Sequence, residues 1–332
     1  MTNALSATTK VFGLTISLKK TEVMFQPAPG TTRSEPSIKI ENTTLNVVNK
    51  FKYLGSIISD DCSIEREINN RIRLASDAFG RLRNKVWNCR EITLSTKLIV
   101  YQAIVISVLL YGCETWSCYK KQLRKLEHFY QYHLRNLLGV KWQDKIPDTE
   151  ILKRTKQLSI EAIILKHRIR WSGHVLRMND TRIPKKVFLS ELKGGKRHRG
   201  RPLLRYKDVL HKSLEFCHIP IESLISQGLP TENPTQLRNK WRNDIHKGVE
   251  RFESERVETA EAKRAVRKAK QLSKTENKET PQQLPNNSAM ASHHLVTTTS
   301  AIHLCTQCDH DPFPTLHGLH VHIGLKHKTN KL

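Results

Sequence analysis

The sequence predicts an α+β chain that is mostly α, and three observations predict it. Before residue 60, apolar and polar positions alternate between Gly- and Pro-rich breaks, as they do in short strands. From Ile64 onward, apolar side chains recur at steps of three and four through several successive segments, the spacing of helices with one buried face. After residue 274 the periodicity stops, and a polar stretch leads into a short Cys/His-rich tail. The expected divisions are strand-rich residues 1–60, a basic helical region 61–252, a charged helix 253–274, a disordered linker 275–300 and a small zinc-binding finger 301–332.

Within the first division, a helix end stops at Gly13 and is followed by a strand through Leu14, Ile16 and Leu18. Pro27, Pro29, Gly30 and Pro36 make a loop, and residues 37–48 read as a strand pair with a turn near Asn42. Phe51, Tyr53, Ile57 and Ile58 are β-favouring, and Gly55 supplies a tight bend, so residues 51–60 form a hairpin. The chain is expected to begin partway through a sheet, as an amino-terminally truncated protein would.

Ile64, Ile68, Ile72, Ala75, Phe79, Leu82 and Val86 mark the buried face of a first long helix, with Ser63 as its cap and Arg71, Arg73, Arg81 and Arg83 opposite. A second, from about Ser95 to Tyr111, is apolar nearly all round and is expected at the centre of a bundle. A third carries Leu123, Leu126, Tyr130, Leu134 and Leu137 and ends at Gly139. A short helix over 148–156 follows. In the next, Ser159 to Met178, Ile160, Ile164, His167, Trp171 and Val175 are expected to be buried, with His167 and His174 as ordinary structural histidines. Further helical periodicity covers Tyr206 to Cys217 and Leu237 to Phe252.

Charge narrows the function more than periodicity does. With 56 Lys/Arg against 31 Asp/Glu, the 332-residue chain carries a formal +25, which points to a polyanionic partner, RNA or DNA. The excess is clustered. Residues 166–201 hold twelve Lys/Arg against Asp180 and Glu191, and the candidate contacts are Lys166, Arg168, Arg170, Arg177, Lys193, Lys196, Arg197, Arg199 and Arg201. Arg199-Gly200-Arg201-Pro202 also resembles the core of an AT-hook, the alternative being a loop that touches phosphates. Seven cysteines at irregular spacing do not form the even framework of a secreted disulfide scaffold and fit a reducing compartment. The longest apolar run, Ile99 to Gly112, is too short to span a bilayer, and no basic stretch is backed by the apolar face that membrane-surface helices use. A nuclear or cytoplasmic location is expected, with the nucleus favoured.

The tail reads Cys305-x2-Cys308-x4-Phe313-x5-Leu319-x2-His322-x4-His327. Two thiolates and two imidazoles at this spacing wrap a tetrahedral Zn2+, with Phe313 and Leu319 as a miniature core. His317 and His320 compete as ligands but keep the periodicity less well, so His322 and His327 are chosen. Between Pro314 and His322 the finger offers Thr315 and His317 rather than arginines, which leaves RNA, DNA and protein contact open.

Taken together, Phe12 to Glu22, Phe51-Lys52-Tyr53-Leu54-Gly55, Leu109 to Trp116 (with Tyr111-Gly112-Cys113-Glu114), Arg170-Trp171-Ser172-Gly173-His174-Val175-Leu176-Arg177-Met178 and Arg199-Gly200-Arg201-Pro202 resemble the carboxy-terminal part of the reverse transcriptase of non-LTR (LINE-type) retrotransposons. The resemblance covers residues 5 to about 250 in the family's order. It implies that the first division is a remnant of the polymerase palm, with Lys20 at the position that lies near the leaving pyrophosphate. It makes Tyr53, Leu54 and Gly55 a primer grip, and the following helices a thumb-like bundle that holds template RNA or target DNA. A carboxy-terminal Cys/His finger also occurs in such elements.

Polymerisation requires metal ions held by several carboxylates on palm strands. Residues 1–59 contain no aspartate, and the single Asp-Asp pair, Asp60-Asp61, follows the hairpin rather than preceding it; it reads as a loop and helix-cap pair. Pro147 to Lys153 has the residue types of a restriction-type nuclease but crowds them into one or two helical turns. The expectation is a catalytically inactive, nucleic-acid-binding fragment. The alternative is the tail of an active RNA-directed DNA polymerase whose palm lies upstream or is supplied in trans by another chain.

Overall fold

The computed structural model describes residues 2–26, 36–40, 42–190 and 204–276. Met1–Gln271 form one compact unit, and Leu272–Leu332 are assigned to a second that lies almost wholly outside the described residues. In the first unit, helix α1 (Thr2–Val11) precedes six short strands: β1 (Glu22–Val23), β2 (Lys39–Ile40), β3 (Thr43–Thr44), β4 (Asn46–Val47), β5 (Lys50–Tyr53) and β6 (Ser56–Ser59). Ten α-helices follow among the described residues, in two groups. The first holds α2 (Glu65–Arg81), α3 (Leu94–Val100), α4 (Ser107–Leu109), α5 (Lys120–Leu138) and α6 (Asp148–Thr155). After α7 (Ile160–Leu176) and α8 (Ile183–Leu189) come α9 (Tyr206–Phe216), α10 (Ile221–Ile225) and α11 (Pro234–Glu276). The mostly helical α+β architecture is the expected one, and no described helix is long and apolar enough to cross a membrane.

The strands make three two-stranded ladders, β1 parallel to β4, β2 antiparallel to β3, and β5 antiparallel to β6. Residues 14–18 do not join them: Gly13 turns the chain at φ +67°, and the segment runs irregularly into a turn at 18–20. Its apolar side chains are exposed or only partly covered, so alternation there had no sheet to serve. The β5–β6 hairpin pairs Lys50 with Ser59 and Tyr53 with Ser56, leaving Leu54-Gly55 as a two-residue loop. Both loop residues have positive φ, +47° and +85°, the requirement of a type I′ turn whose twist matches that of the strands. Gly55 adopts this freely; Leu54 does so at about 1–2 kcal/mol.

What seats the hairpin is a buried ion pair from α2. Glu67 and Arg71, 3% and 5% exposed, stand one helical turn apart with Arg71 Nε 2.6 Å from Glu67 Oε1. Glu67 Oε2 accepts the Ile57 N–H at 2.6 Å, while Arg71 Nη2 donates to the Gly55 carbonyl and to Ser56 Oγ, both at 2.9 Å. The guanidinium also lies 4.5 Å from the centre of the Tyr111 ring. Arg71 therefore does not share the solvated face expected for it beside Arg73 and Arg81: the turn backbone needs a donor, and the helix supplies one. Ser63 assists at the start of α2 only locally, Ser63 Oγ accepting the Glu65 N–H and Asp61 Oδ1 accepting the Ser63 N–H.

Helices α2 to α6 enclose one apolar core around Ile68, Phe79, Tyr101, Leu126, Tyr130 and Ile151. A π-helical stretch, Tyr101–Ile106, joins α3 to α4 and turns Tyr101, Val105 and Ile106 inward, but Ile99 and Ile104 are left 69% and 40% exposed. This helix lines the bundle rather than filling its centre, because partners pack on one side only. A second core joins α7 to α9, α10 and α11 around Leu165, Ile169, Leu214, Leu224, Trp241 and Ile245. α7 is the common wall: Ile160 and Ile164 face the first core, and Ala162, Leu165, Ile169 and Leu176 face the second. The apolar periodicity of 237–252 and the charged stretch 253–274 prove to be one helix, α11, whose first half packs through Trp241, Ile245 and Val249. The five described cysteines are free thiols.

Arg71→Ala leaves the buried Glu67 carboxylate uncompensated and should lower unfolding stability by about 3–5 kcal/mol. The double variant Glu67→Gln, Arg71→Met, which removes both charges, should lose less than Arg71→Ala alone. Urea unfolding of the two variants beside the parent protein checks the order.

Candidate nucleic-acid interface

A helix that serves two cores has one face left for solvent, and on α7 that face is chemically uniform. His167, Arg170, Trp171, His174 and Arg177 recur at steps of three, one, three and three, which places them along one side. They form one bank of a groove of about 450 Å³, and Trp241, Arg238 and Arg242 of α11 form the other. Arg170, His174, Arg238 and Arg242 are exposed, Trp171 and Arg177 half-buried, and the Trp171 and His174 rings lie 5.4 Å apart at 45°.

A glycine sets the closeness of the banks. A Cβ on Gly173 would meet Trp241 Nε1 at 2.3 Å and two further ring atoms at 2.9 Å. Only a residue without a side chain allows the Trp241 indole to lie flat on α7, and this accounts for the glycine in the Trp-Ser-Gly-His run. Gly248 acts likewise farther along α11, where a Cβ would stand 2.6 Å from the Cys217 carbonyl oxygen. Trp241 is buried, and its Nε1 has no hydrogen-bond partner among the described residues.

The electrostatics of the groove are one-sided. Burial, and then the neighbouring Arg238 and Arg242, push the Arg177 guanidinium below its usual pKa. Arg177 Nη1 is held by Gln227 Oε1, a neutral acceptor. Among the described residues no carboxylate forms an ion pair with Arg170, Arg238 or Arg242, and Glu114 is the one acidic side chain on the groove wall. Desolvation by the walls lowers the His167 pKa; Arg170 and Lys166 lower it further, and Glu114 opposes them. The shift favours the neutral imidazole in a site already rich in cations. Crowded guanidinium groups beside aromatic faces suit a phosphodiester strand, with phosphates relieving the repulsion and bases stacking on the rings.

The sequence-derived contacts divide accordingly. Arg170 and Arg177 lie in the groove, and Lys166 is half-buried on the same helix. Arg168 is a correction: it is 4% exposed and cannot reach a strand. Its Nη1 donates to Ser213 Oγ at 2.9 Å and its Nη2 to the Trp116 carbonyl at 2.8 Å, since its position on α7 points into the protein between the two acceptors. His167 and Trp171 are also corrected, from core to groove wall. Arg238 and Arg242 went unrecognised; their i, i+4 spacing around Trp241 was the available signal. Lys193, Lys196, Arg197, Arg199 and Arg201, and the finger ligands Cys305, Cys308, His322 and His327, lie outside the described residues. Tyr53 and Leu54 are exposed at the hairpin tip, and Lys20 is exposed in a turn where its N–H donates to the Ser17 carbonyl.

Comparison with known proteins connects the chain to mobile elements. A transposon-derived protein of Caenorhabditis elegans is 26% identical over 216 residues, covering 61% of this chain and 73% of that one. No family model matches the chain. No solved structure matches it.

Gly173→Ala should force the indole of Trp241 off α7 and cost about 1–3 kcal/mol, as overpacking of a tight contact does. A lowered urea midpoint, with a change in tryptophan emission under native conditions, is the expected result.

Proposed function

We propose that this protein is a nucleic-acid-binding, catalytically inactive part of a retrotransposon reverse transcriptase, which holds RNA or DNA in the groove between α7 and α11. The observation that carries the reading is the set of four groove arginines, Arg170, Arg177, Arg238 and Arg242, beside Trp171 and His174 with one carboxylate among them. The formal charge of +25 and the relationship to a transposon-derived protein support it. In this reading the Tyr53-Leu54-Gly55 hairpin keeps a primer-grip shape, while residues 1–59 supply none of the aspartates that would hold the metal ions. The finger at Cys305, Cys308, His322 and His327 binds Zn2+ and adds a second contact, and the location is nuclear or cytoplasmic, with the nucleus favoured.

Binding by phosphate neutralisation weakens as salt rises, by about 0.9 in the logarithmic slope for each phosphate contact on duplex DNA and about 0.7 on single strands. Gel retardation of RNA and DNA oligonucleotides between low and physiological salt should show such a fall. Arg170→Ala with Arg242→Ala should weaken binding and flatten the slope by about two contacts. Salt-independent binding overturns the proposal. Primer extension by the same preparation, with Mg2+ and deoxynucleotides, would replace it by the reading of an active RNA-directed DNA polymerase.

A further inference from the structure

Beside the groove, three side chains of different chemistry converge. Gly112, at φ +75°, follows the end of α4 and turns the chain into a tight 3-10 turn, Cys113–Thr115, which lies against α7. The turn places Cys113 and Glu114 next to His167, and one ligand atom from each of the three lies within 4.8 Å of the others. Cys113 is fully buried, Glu114 half-buried and His167 exposed.

We propose that Cys113, Glu114 and His167 form a binding site for a divalent transition metal, zinc by its chemistry, separate from the Cys/His tail. A thiolate, an imidazole and a carboxylate are the donor types zinc accepts, and three protein ligands leave a fourth position open. Bonds of about 2.0–2.3 Å in a tetrahedron bring ligand atoms to roughly 3.3–3.8 Å from one another, so a modest rotation of Glu114 and His167 closes the set. Both are free enough to make it, being the less buried two. The third ligand does not need to move, because the turn is fixed from behind. Arg168, next to His167 in the chain, donates to the Trp116 carbonyl at 2.8 Å, and Thr115 Oγ1 donates to the Gly112 carbonyl at 2.9 Å.

Burial, and then the neighbouring Glu114 carboxylate, push the Cys113 thiol up to about 12, so the proton leaves only as the metal takes its place. With the ion bound and that proton released, thiolate and carboxylate together cancel its two positive charges, so the complex adds no net cation to a groove already crowded with guanidinium groups. Glu114 and His167 both line the groove, which puts the open position within reach of water or a phosphate oxygen.

The test uses Co2+ as a spectroscopic stand-in for zinc and the full chain carrying Cys305→Ser and Cys308→Ser, so that the tail supplies no thiolate. One equivalent of Co2+ should bind with a thiolate-to-cobalt charge-transfer band in the near ultraviolet. Adding Cys113→Ser should abolish the band. His167→Ala, at an exposed position that leaves the core intact, should weaken Co2+ binding by at least about tenfold. No charge-transfer band in the tail-disabled chain overturns the proposal, as does a band that His167→Ala and Glu114→Gln leave unmoved. Nucleic-acid retardation is a separate readout, so the site and the groove can each fail without the other.

Discussion

Arg168 occupies the position on which the helical part of the protein depends. A buried guanidinium without a carboxylate is costly, and it is tolerated here because it closes gaps in two neighbouring backbones and side chains at once. One nitrogen satisfies the Trp116 carbonyl, where the chain leaves its tight turn, and another satisfies Ser213 on α9. The third, Nε, has no partner among the described residues, and burial lowers the pKa of the whole group. Removing this side chain would take a donor from the Trp116 carbonyl and from the Ser213 hydroxyl, where the Cys113 turn, α7 and α9 meet. The turn that carries Cys113 and Glu114 is therefore tied to the same helix that forms one bank of the groove.

The hairpin obeys the same logic at smaller scale. A two-residue loop in left-handed conformation exposes carbonyl groups that its own strands cannot use, and Arg71 collects one of them while Glu67 takes a strand N–H. The hairpin and the helical part of the described fold thus each rely on an arginine whose role is architectural. A formal charge of +25 counts these with the groove arginines, and composition cannot separate them.

This is also where sequence reading succeeded and where it stopped. The hairpin with its Gly55 bend, the stop of α5 at Gly139 and the short helix α6 follow from local rules, and all three appear within a residue or two of expectation. The faces of α7 do not follow from local rules. A helix packed on two sides shows apolar residues at most phases, so a single buried stripe through Ile160, Ile164, His167 and Trp171 was an attractive but mixed assignment. Tertiary neighbours decided it: α5 and α6 cover one side, α9 to α11 another, and His167 and Trp171 fall between them. The spacing of Arg238 and Arg242 around Trp241 was visible in the sequence, but their place in the groove was not, since nothing local says that α11 returns alongside α7.

The groove's cations are all guanidinium groups, and that choice has a regulatory consequence. An arginine stays protonated across any pH a cell meets, and lysine acetylation has no target among Arg170, Arg177, Arg238 and Arg242. Arginine methylation keeps the charge and removes hydrogen-bond donors. A groove built this way can be retuned in its fit to a phosphate without losing its attraction for one, so its guanidinium charge persists while donor geometry and ionic strength set how tightly a strand is held.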